Sequence, residues 1–599
     1  MRVLRAVQFF MILGARLDKG RLLVGAVVEY VGYLAAPFAA LALAHFVDDA
    51  IAHRGTGALV LALVAAVLLV VQVQCHHFAF HHYVDLVEMQ QSALRVELIG
   101  LVNAPDRVEH LDDPSFADTA DLVRKGVWNS TQVLESIFAL SGLLLQTAVT
   151  AAILIDLNPW LAFLPILAVP PVLLGNRAQA VLENARERTA EKARLNRHLV
   201  EIATSATSVK ELRLFGTEAE VLKRQDAAWR ELTDQMWRAQ AKSGALRGLG
   251  QLVFALGYGG AILLVVHQAS QGRATVGGIL LVITLAVQVS AQIAGALGQL
   301  STLQTAGRTV ERIQILRKMV GAPGRANGRR RPSLSPVPER LTKGITLEAV
   351  SFHYPGTSDL ALDNITLEIP AGRTVALVGE NGAGKSTVVK LLCGLYAPTS
   401  GRILVDGVDL SGLDPPEWRK RVATLFQDFF RVELTLRESI GLGELELIED
   451  DIAITDAVRD ARATDVVRAV PSGLAGFVGR AYTNGTDLSG GQWQTVGLAR
   501  SVIRRHPLLQ ILDEPAAALD AAAEHALFER FGSSAEVAAR ERGGATVLIS
   551  HRFSTVLMAD TIAVLAGGQL RECGSHRQLM ANDSLYAELF RLQSRAYRY

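Results

Sequence analysis

The chain has 599 residues, 50% of them hydrophobic, with 60 Lys+Arg against 59 Asp+Glu. A net charge of +1 gives no electrostatic footprint for nucleic acid. Its three cysteines, Cys75, Cys393 and Cys573, stand too far apart for a disulfide framework or a zinc site. The length calls for several domains, and a mean hydropathy of +0.26 is high for a soluble protein.

The opening MRVLRAVQFFMILG has the charged start and apolar run of a secretory signal. It lacks a small-residue cleavage site, and Arg16, Lys19 and Arg21 follow at once. An interfacial amphipathic helix is the expected form. Six apolar stretches then approach the roughly 20 residues needed to span a bilayer: Leu22–Phe46, Ala58–Phe80, Val133–Ile155, Trp160–Leu174, Leu246–Ala269 and Val276–Leu297. The fourth is short and carries Pro165, Pro170 and Pro171. The turn DLNP makes it a hairpin with the third.

Links one–two, three–four and five–six are short, whereas two–three and four–five are long, helix-rich and basic. Arg95, Arg107, Arg124 and Lys125 lie in the first long link, and Arg177, Arg186, Arg188 and Lys192 in the second. Because positive residues stay inside, both long links and both termini face the cytoplasm. Within the spans, Glu29 is ionisable and therefore a functional suspect, although its place early in the span fits an interfacial position equally well. QVQCHHFAFHH sets His76, His77, His81 and His82 on one helix. His77 and His81, four apart, have a metal-compatible spacing, but no second ligand set is visible, and an interfacial polar cluster is preferred. Gln146, Gln288, Gln292 and Tyr258 are further candidates to line a cavity.

Residues 1–320 are read as the membrane domain. Gly321–Gly344, rich in Gly, Pro, Ser and Arg without periodicity, reads as a linker. Its RRR run could touch anionic lipid, although a solvated linker is the plainer reading. Residues 345–599 carry an α/β pattern: alternating ITLEAVSFHY and ITLEI, then the continuous apolar strand TVALVG.

TVALVG runs into GENGAGKST and a helix, the strand–loop–helix context of a phosphate-binding loop. Gly379, Asn381, Gly382, Ala383 and Gly384 turn backbone N–H groups on the phosphates at a helix start. Lys385 supplies charge for the β- and γ-phosphates, Ser386 a hydroxyl for Mg²⁺, and Thr387 completes the motif. A chance glycine turn would lack the flanking strand and helix. PLLQILDEP ends a second apolar strand in two acids. Asp513 is placed to hold Mg²⁺ through water, and Glu514 to act as the base on the attacking water. ATVLISH ends a third strand at His551, within reach of a γ-phosphate. DLSGGQWQTVGLAR offers a second anion-binding helix start, this one without a lysine.

These segments in this order resemble the nucleotide-binding domain of ATP-binding cassette (ABC) transporters, with LSGGQ as that family's signature. The resemblance implies an all-α transmembrane domain of six helices plus an α/β P-loop NTPase domain. It implies that Ser489, Gly490, Gly491 and Gln492 cap ATP held by the cradle of a second domain, so that two chains, by default a homodimer, sandwich two ATPs. Tyr354 matches the aromatic that stacks on adenine. Gln427 matches the glutamine sensing Mg²⁺ and the attacking water, Asp520 the loop crossing the dimer, and His551 the switch histidine. The chain departs from the family at Gln510, in the missing Thr/Ser pair of DEPAAALD, and in GFVGRAYTNG, which lacks a glutamate common in exporters.

Six spans ahead of one nucleotide domain resemble an exporter-type half-transporter of a bacterial plasma membrane. LDDPSFAD (Leu111–Asp118) and SVKELRLFG (Ser208–Gly216) match its coupling helices. FQDFFRVELTLRESIGLG and LSGGQWQ look like exporters of ribosomal peptide antibiotics, including lanthipeptides. ATP-driven export of a peptide or other amphipathic product by alternating access is therefore expected. A lipid flippase, a multidrug pump and a siderophore importer are the alternatives. No cysteine-protease segment precedes the first span, so leader cleavage is not expected.

Overall fold

The computed structural model of the chain describes residues 2–128, 130–163, 167, 169–321, 334–480, 482–515, 539–550 and 552–596. Asp520 and His551 lie outside the described residues. The chain divides into two units: Met1–Gly100 with Thr119–Arg317, and Leu101–Asp118 with Lys318–Tyr599.

The first unit is helical. α1 (Arg2–Leu17) buries Ala6, Phe10 and Gly14, a stripe at helical spacing. Gln90 Nε2 anchors it by donating to the Phe10 carbonyl at 2.9 Å. α2 (Lys19–Ile51) and α3 (Gly55–Asn103) form an antiparallel hairpin. Its close approach is permitted by Gly25 against the Tyr83 ring and Gly32 against Cys75. After α4 (Pro114–Trp128), α5 (Val133–Leu157) leads through a turn to α6 (Val169–Arg188). α7 (Ala190–Thr204), α8 (Ala206–Phe215), α9 (Glu218–Ser270) and α10 (Val276–Val320) follow. At about 1.5 Å per residue α9 is roughly 80 Å long, far more than the ~30 Å of hydrocarbon. Its N-terminal half therefore continues into the aqueous phase. α6 and α7 run antiparallel to it, with Gly250 packed on Pro171 and Gln225 donating to Asn196.

Five described helices are long and apolar enough to cross a membrane: α2, α3, α5, α9 and α10. The fourth expected span is not among them. Its sequence divides between a 3-10 turn at Pro159–Phe163 and the start of α6, with residues 164–166 and 168 outside the described set. Pro170 and Pro171 fall in the first turn of α6, where a missing N–H breaks no intrahelical bond.

The second unit carries two sheets. One has the order β2-β1-β4-β5: β2 (Leu362–Pro370), β1 (Gly344–Phe352), β4 (Ser400–Val405) and β5 (Val408–Asp409), all antiparallel. The other has the order β10-β9-β3-β8-β7-β6. Here β6 (Val422–Leu425), β7 (Leu509–Asp513), β8 (Ala545–Ile549), β3 (Thr374–Val378) and β9 (Thr561–Ala566) are parallel, and β10 (Gln569–Gly574) closes the edge. Parallel registry pairs Leu425 with Leu512, Asp513 with Ile549, and Ile549 with Leu377. The segments that leave β6, β7, β8 and β3 thus emerge along one carboxyl edge, the usual place for a ligand in such a sheet.

Candidate functional site

The loop between β3 and α11 (Lys385–Leu392) can be built only with glycine at its ends. Gly379 has φ 155° and a Cβ there would collide with the Leu565 carbonyl oxygen; Gly384 has φ 98° and would press on the Ala361 carbonyl. Gly382, also left-handed at φ 82°, completes the curl with exposed Asn381 and buried Ala383 on either side. Lys385 Nζ donates to the Gly379 and Glu380 carbonyls, both at 2.8 Å. Burial lowers its pKa, while Glu514 and Asp513 pull the other way. Its ammonium thus stands in the cradle with bonds that a phosphate can replace.

Asp513 ends β7 and is buried. Burial first, then the charge of Glu514, pushes its carboxyl up to about 6. The Ser386 hydroxyl donates to Asp513 Oδ2 at 3.4 Å, so two hard oxygen donors meet beside the phosphate loop. That donor set suits Mg²⁺. Gln427, just past β6, donates through Nε2 to Glu514 Oε2 at 3.5 Å. Glu514 sits at φ 49°, a left-handed conformation that a non-glycine residue adopts at some cost. Its N–H donates to the Ile549 carbonyl at 2.9 Å, and Gln494 Nε2 donates to its carbonyl at 2.7 Å. Gln494 was missed in the sequence. Its signal was a polar side chain on the buried face of the helix in LSGGQWQ.

The sequence-derived set thus converges in part. Gly379–Thr387, Asp513, Glu514 and Gln427 share one edge. Tyr354 adjoins them: its OH is 3.1 Å from Thr387 Oγ1, and its ring meets Phe352 and Tyr396 edge-on at 5.0 and 5.6 Å.

The signature begins α12 (Gly490–Val502), with Ser489 as N-cap. Gln492 N donates to Ser489 Oγ at 3.3 Å and Ser489 N to Gln492 Oε1 at 2.8 Å, a capping box. Trp493, Val496 and Leu498 bury the other side of α12 in a core shared with Leu436, Ile440 and Ile454. Ser489 and Gly490 stay exposed, and a Cβ at Gly490 meets nothing within 4 Å. Nothing among the described residues requires that glycine.

The same unit holds the stretch between the second and third spans. Val108 N donates to the Leu395 carbonyl at 3.0 Å, Ala397 N to Glu109 Oε1 at 3.0 Å, Tyr396 OH to Asp112 Oδ2 at 2.6 Å, and Arg419 Nη1 to the Asp106 carbonyl at 2.5 Å. The docked 3-10 turn is Glu109–Asp112, slightly ahead of the expected Leu111–Asp118. The second expected segment forms α8, capped by Ser205 and stopped by left-handed Gly216, with Leu214 and Phe215 exposed at its tip.

In the membrane unit, Glu29 is buried with Oε1 at 3.2 Å from His76 Nδ1. His77 Nδ1 lies 2.9 Å from the Val73 carbonyl of its own helix. Among the described residues no three His, Cys, Asp or Glu side chains converge as a metal site. Three of the candidate cavity residues are engaged between helices. Gln288 donates to the Ala36 carbonyl, Gln292 accepts from Thr147, and Tyr258 donates to the Ile283 carbonyl. Gln146 is buried as well.

Comparison with known proteins adds to this geometry. Residues 362–517 match the model of the ABC transporter family and residues 130–293 that of the ABC transporter transmembrane region. An ATP-dependent lipid A-core flippase from Ralstonia nicotianae is 31% identical over 79% of the chain and 78% of its own length. The subtilin transport ATP-binding protein SpaT of Bacillus subtilis is 26% identical over 80% and 76% respectively. The solved structure of a bacterial Atm1-family ABC exporter with ATP bound superposes with a TM-score of 0.73 at 23% identity, covering 97% of this chain and 98% of the other.

Proposed function

The chain belongs to the ABC transporter family as an exporter-type half-transporter, a multi-pass bacterial membrane protein that binds and hydrolyses ATP on its cytoplasmic side, and from this premise we propose how it works and what it carries. Its cargo is a peptide or other amphipathic product, moved outward across the plasma membrane by alternating access. The observation that carries the coupling of ATP to transport is the docking of Val108–Asp112 on Leu395–Ala397. It ties the link between two spans to the strand-and-helix body that holds the cradle, so a shift of that body is felt by the spans.

Two copies pair head to tail. The Ser489 and Gly490 helix start of one faces the ATP in the Gly379–Thr387 cradle of the other. Lys385 releases the loop carbonyls for the β- and γ-phosphates, Tyr354 stacks on adenine, and Gln427 and Glu514 hold the attacking water. Glu514 takes the water's proton. Mg²⁺, when bound, is held by Ser386 and Asp513 with Gln427 beside it and neutralises phosphate charge. The exposed Leu214 and Phe215 of α8 are covered by the second copy. ATP binding only the closed pair well makes the cycle a population shift.

A lipid cargo is the second reading, favoured by the 31% identity to a lipid A-core flippase. Reconstitution into proteoliposomes separates the two. A peptide cargo gives peptide-stimulated hydrolysis and ATP-dependent peptide flux; a lipid cargo gives ATP-dependent movement of labelled lipid between leaflets with no peptide response. Absence of any ATP-dependent flux across a broad panel would overturn the transport reading.

A further inference from the structure

A cavity of about 340 Å³ opens between α6, α9 and α10, all in the membrane unit. Its walls are of two kinds. Pro171, Ile293 and Leu297 supply the apolar surface and Gln179, Arg247 and Ser301 a polar end, with the amides of Asn176, Gln251 and Gln304 also in the lining. Gln179 holds the polar end together: its Nε2 donates to Ser301 Oγ at 3.2 Å and its Oε1 accepts from Arg247 Nη2 at 3.3 Å. Among the described residues no carboxylate lies within salt-bridge distance of Arg247. Its cation is oriented by a neutral amide and, among the described residues, balanced by no acid.

Depth follows from helix rise. The short turn between α9 and α10 marks the outer face by the positive-inside argument. At about 1.5 Å per residue, Ile293 lies roughly 26 Å below the start of α10 and Ser301 roughly 38 Å below it; Arg247 lies roughly 35 Å below the end of α9. With ~30 Å of hydrocarbon, Ile293 lies within the inner leaflet, Leu297, roughly 32 Å down, at its edge, and the guanidinium at headgroup level.

We propose that this cavity binds an amphiphile with an apolar chain and a single anionic head, phosphate or carboxylate, taken from the inner leaflet. The Arg247 guanidinium pairs with the head, and the chain lies along Pro171, Ile293 and Leu297. This deepens the transport reading by naming the anionic class of cargo, and it rests on that reading.

The test uses the full chain in vesicles of phosphatidylcholine, with dodecyl phosphate as probe and dodecyltrimethylammonium as its cationic counterpart. Saturable, ATP-independent binding of dodecyl phosphate is expected, with at least tenfold preference over the cation. Arg247→Gln raises the half-saturating concentration about tenfold, and Arg247→Lys recovers part of the loss. Ile293→Trp, which fills the apolar end, abolishes binding. Arg177→Gln, on α6 but outside the cavity lining, changes nothing.

Inorganic phosphate at equal concentration does not compete; equal competition would overturn the role of the apolar chain. Adding phosphatidylglycerol to the vesicles distinguishes sources. If it competes, the occupant is a membrane phospholipid; if it does not, it is a single-chain anionic cargo, and either supports the site. Equal binding of phosphate and cation, or binding indifferent to Arg247→Gln, overturns the inference. If peptide flux persists while dodecyl phosphate fails to bind, the inference falls alone. If all ATP-dependent flux is absent, the transport reading falls with it.

Discussion

The nucleotide domain has two glycine-rich helix starts, and they differ in what demands their glycines. At Gly379 and Gly384 the demand is internal, because positive φ and neighbouring carbonyl oxygens leave no room for a Cβ. At Gly490 the described residues demand nothing: the backbone is helical and none of their atoms would come within 4 Å of a Cβ. The first start also has its own cation, Lys385, and its own acids, Asp513 and Glu514. The second has an N-cap satisfied by Gln492 and an exposed surface. Among the described residues the first has its partners within the chain, and the second is the start that the proposed pairing sets against a second copy.

Substitutions sharpen that contrast. The largest effect is expected at Glu514→Gln, which keeps ATP binding and lowers turnover by about 10²–10⁴-fold; single-turnover hydrolysis at the wild-type rate would remove Glu514 as the base. Gly490→Asp should lower turnover at least ~100-fold by setting a charge against the incoming phosphate. It should move the thermal midpoint very little, since surface changes of this kind stay within about 0.5 kcal/mol. Gly384→Ala reverses the pattern, destabilising the domain by about 1–3 kcal/mol through a left-handed φ and a carbonyl contact. Equal stability losses at Gly490 and Gly384 would erase the distinction.

Asp513 gives a pH-dependent case. Its folded value of about 6 stands above the ordinary carboxylate range. The folded chain therefore holds an extra proton between roughly pH 4 and 6. The favourable contribution is present at low pH and is lost as pH rises through about 6. Asp513→Asn should then stabilise the nucleotide-free chain by about 1–3 kcal/mol at pH 7.5, less as pH falls toward 5, while abolishing Mg²⁺-dependent hydrolysis. Thermal melts across that range check the sign. The smallest effect is expected at Tyr396→Phe, which removes one hydrogen bond to Asp112, worth about 0.5–1.5 kcal/mol. It should lower cargo moved per ATP before it lowers hydrolysis.

What the sequence made legible was local. A phosphate loop is nine consecutive residues between a strand and a helix, and LSGGQ a capped helix start, so adjacency in the chain is adjacency in space. Five of the six apolar stretches fall in described helices long and apolar enough to span, and the fourth does not, since Pro170 and Pro171 stand in the first turn of α6. What stayed hidden depends on distant segments meeting. Nothing in the pattern around Asp112 names Tyr396, 284 positions away. Gln494 reads as another helix residue until it reaches the Glu514 carbonyl. Glu29 looked like a lone membrane acid, and only the α2–α3 register brings His76 to it.

The decisive measurement counts occluded ATP in tandem dimers, two copies joined in one polypeptide, on a Glu514→Gln background. One tandem carries Lys385→Met in the first copy and Gly490→Asp in the second; the other carries both changes in the same copy beside an unaltered one. If each helix start caps its neighbour's ATP, the first tandem retains one intact site and traps one ATP, and the second traps none. The opposite result, with ATP trapped only when both changes share a copy, would show each chain closing on its own nucleotide and would contradict the account.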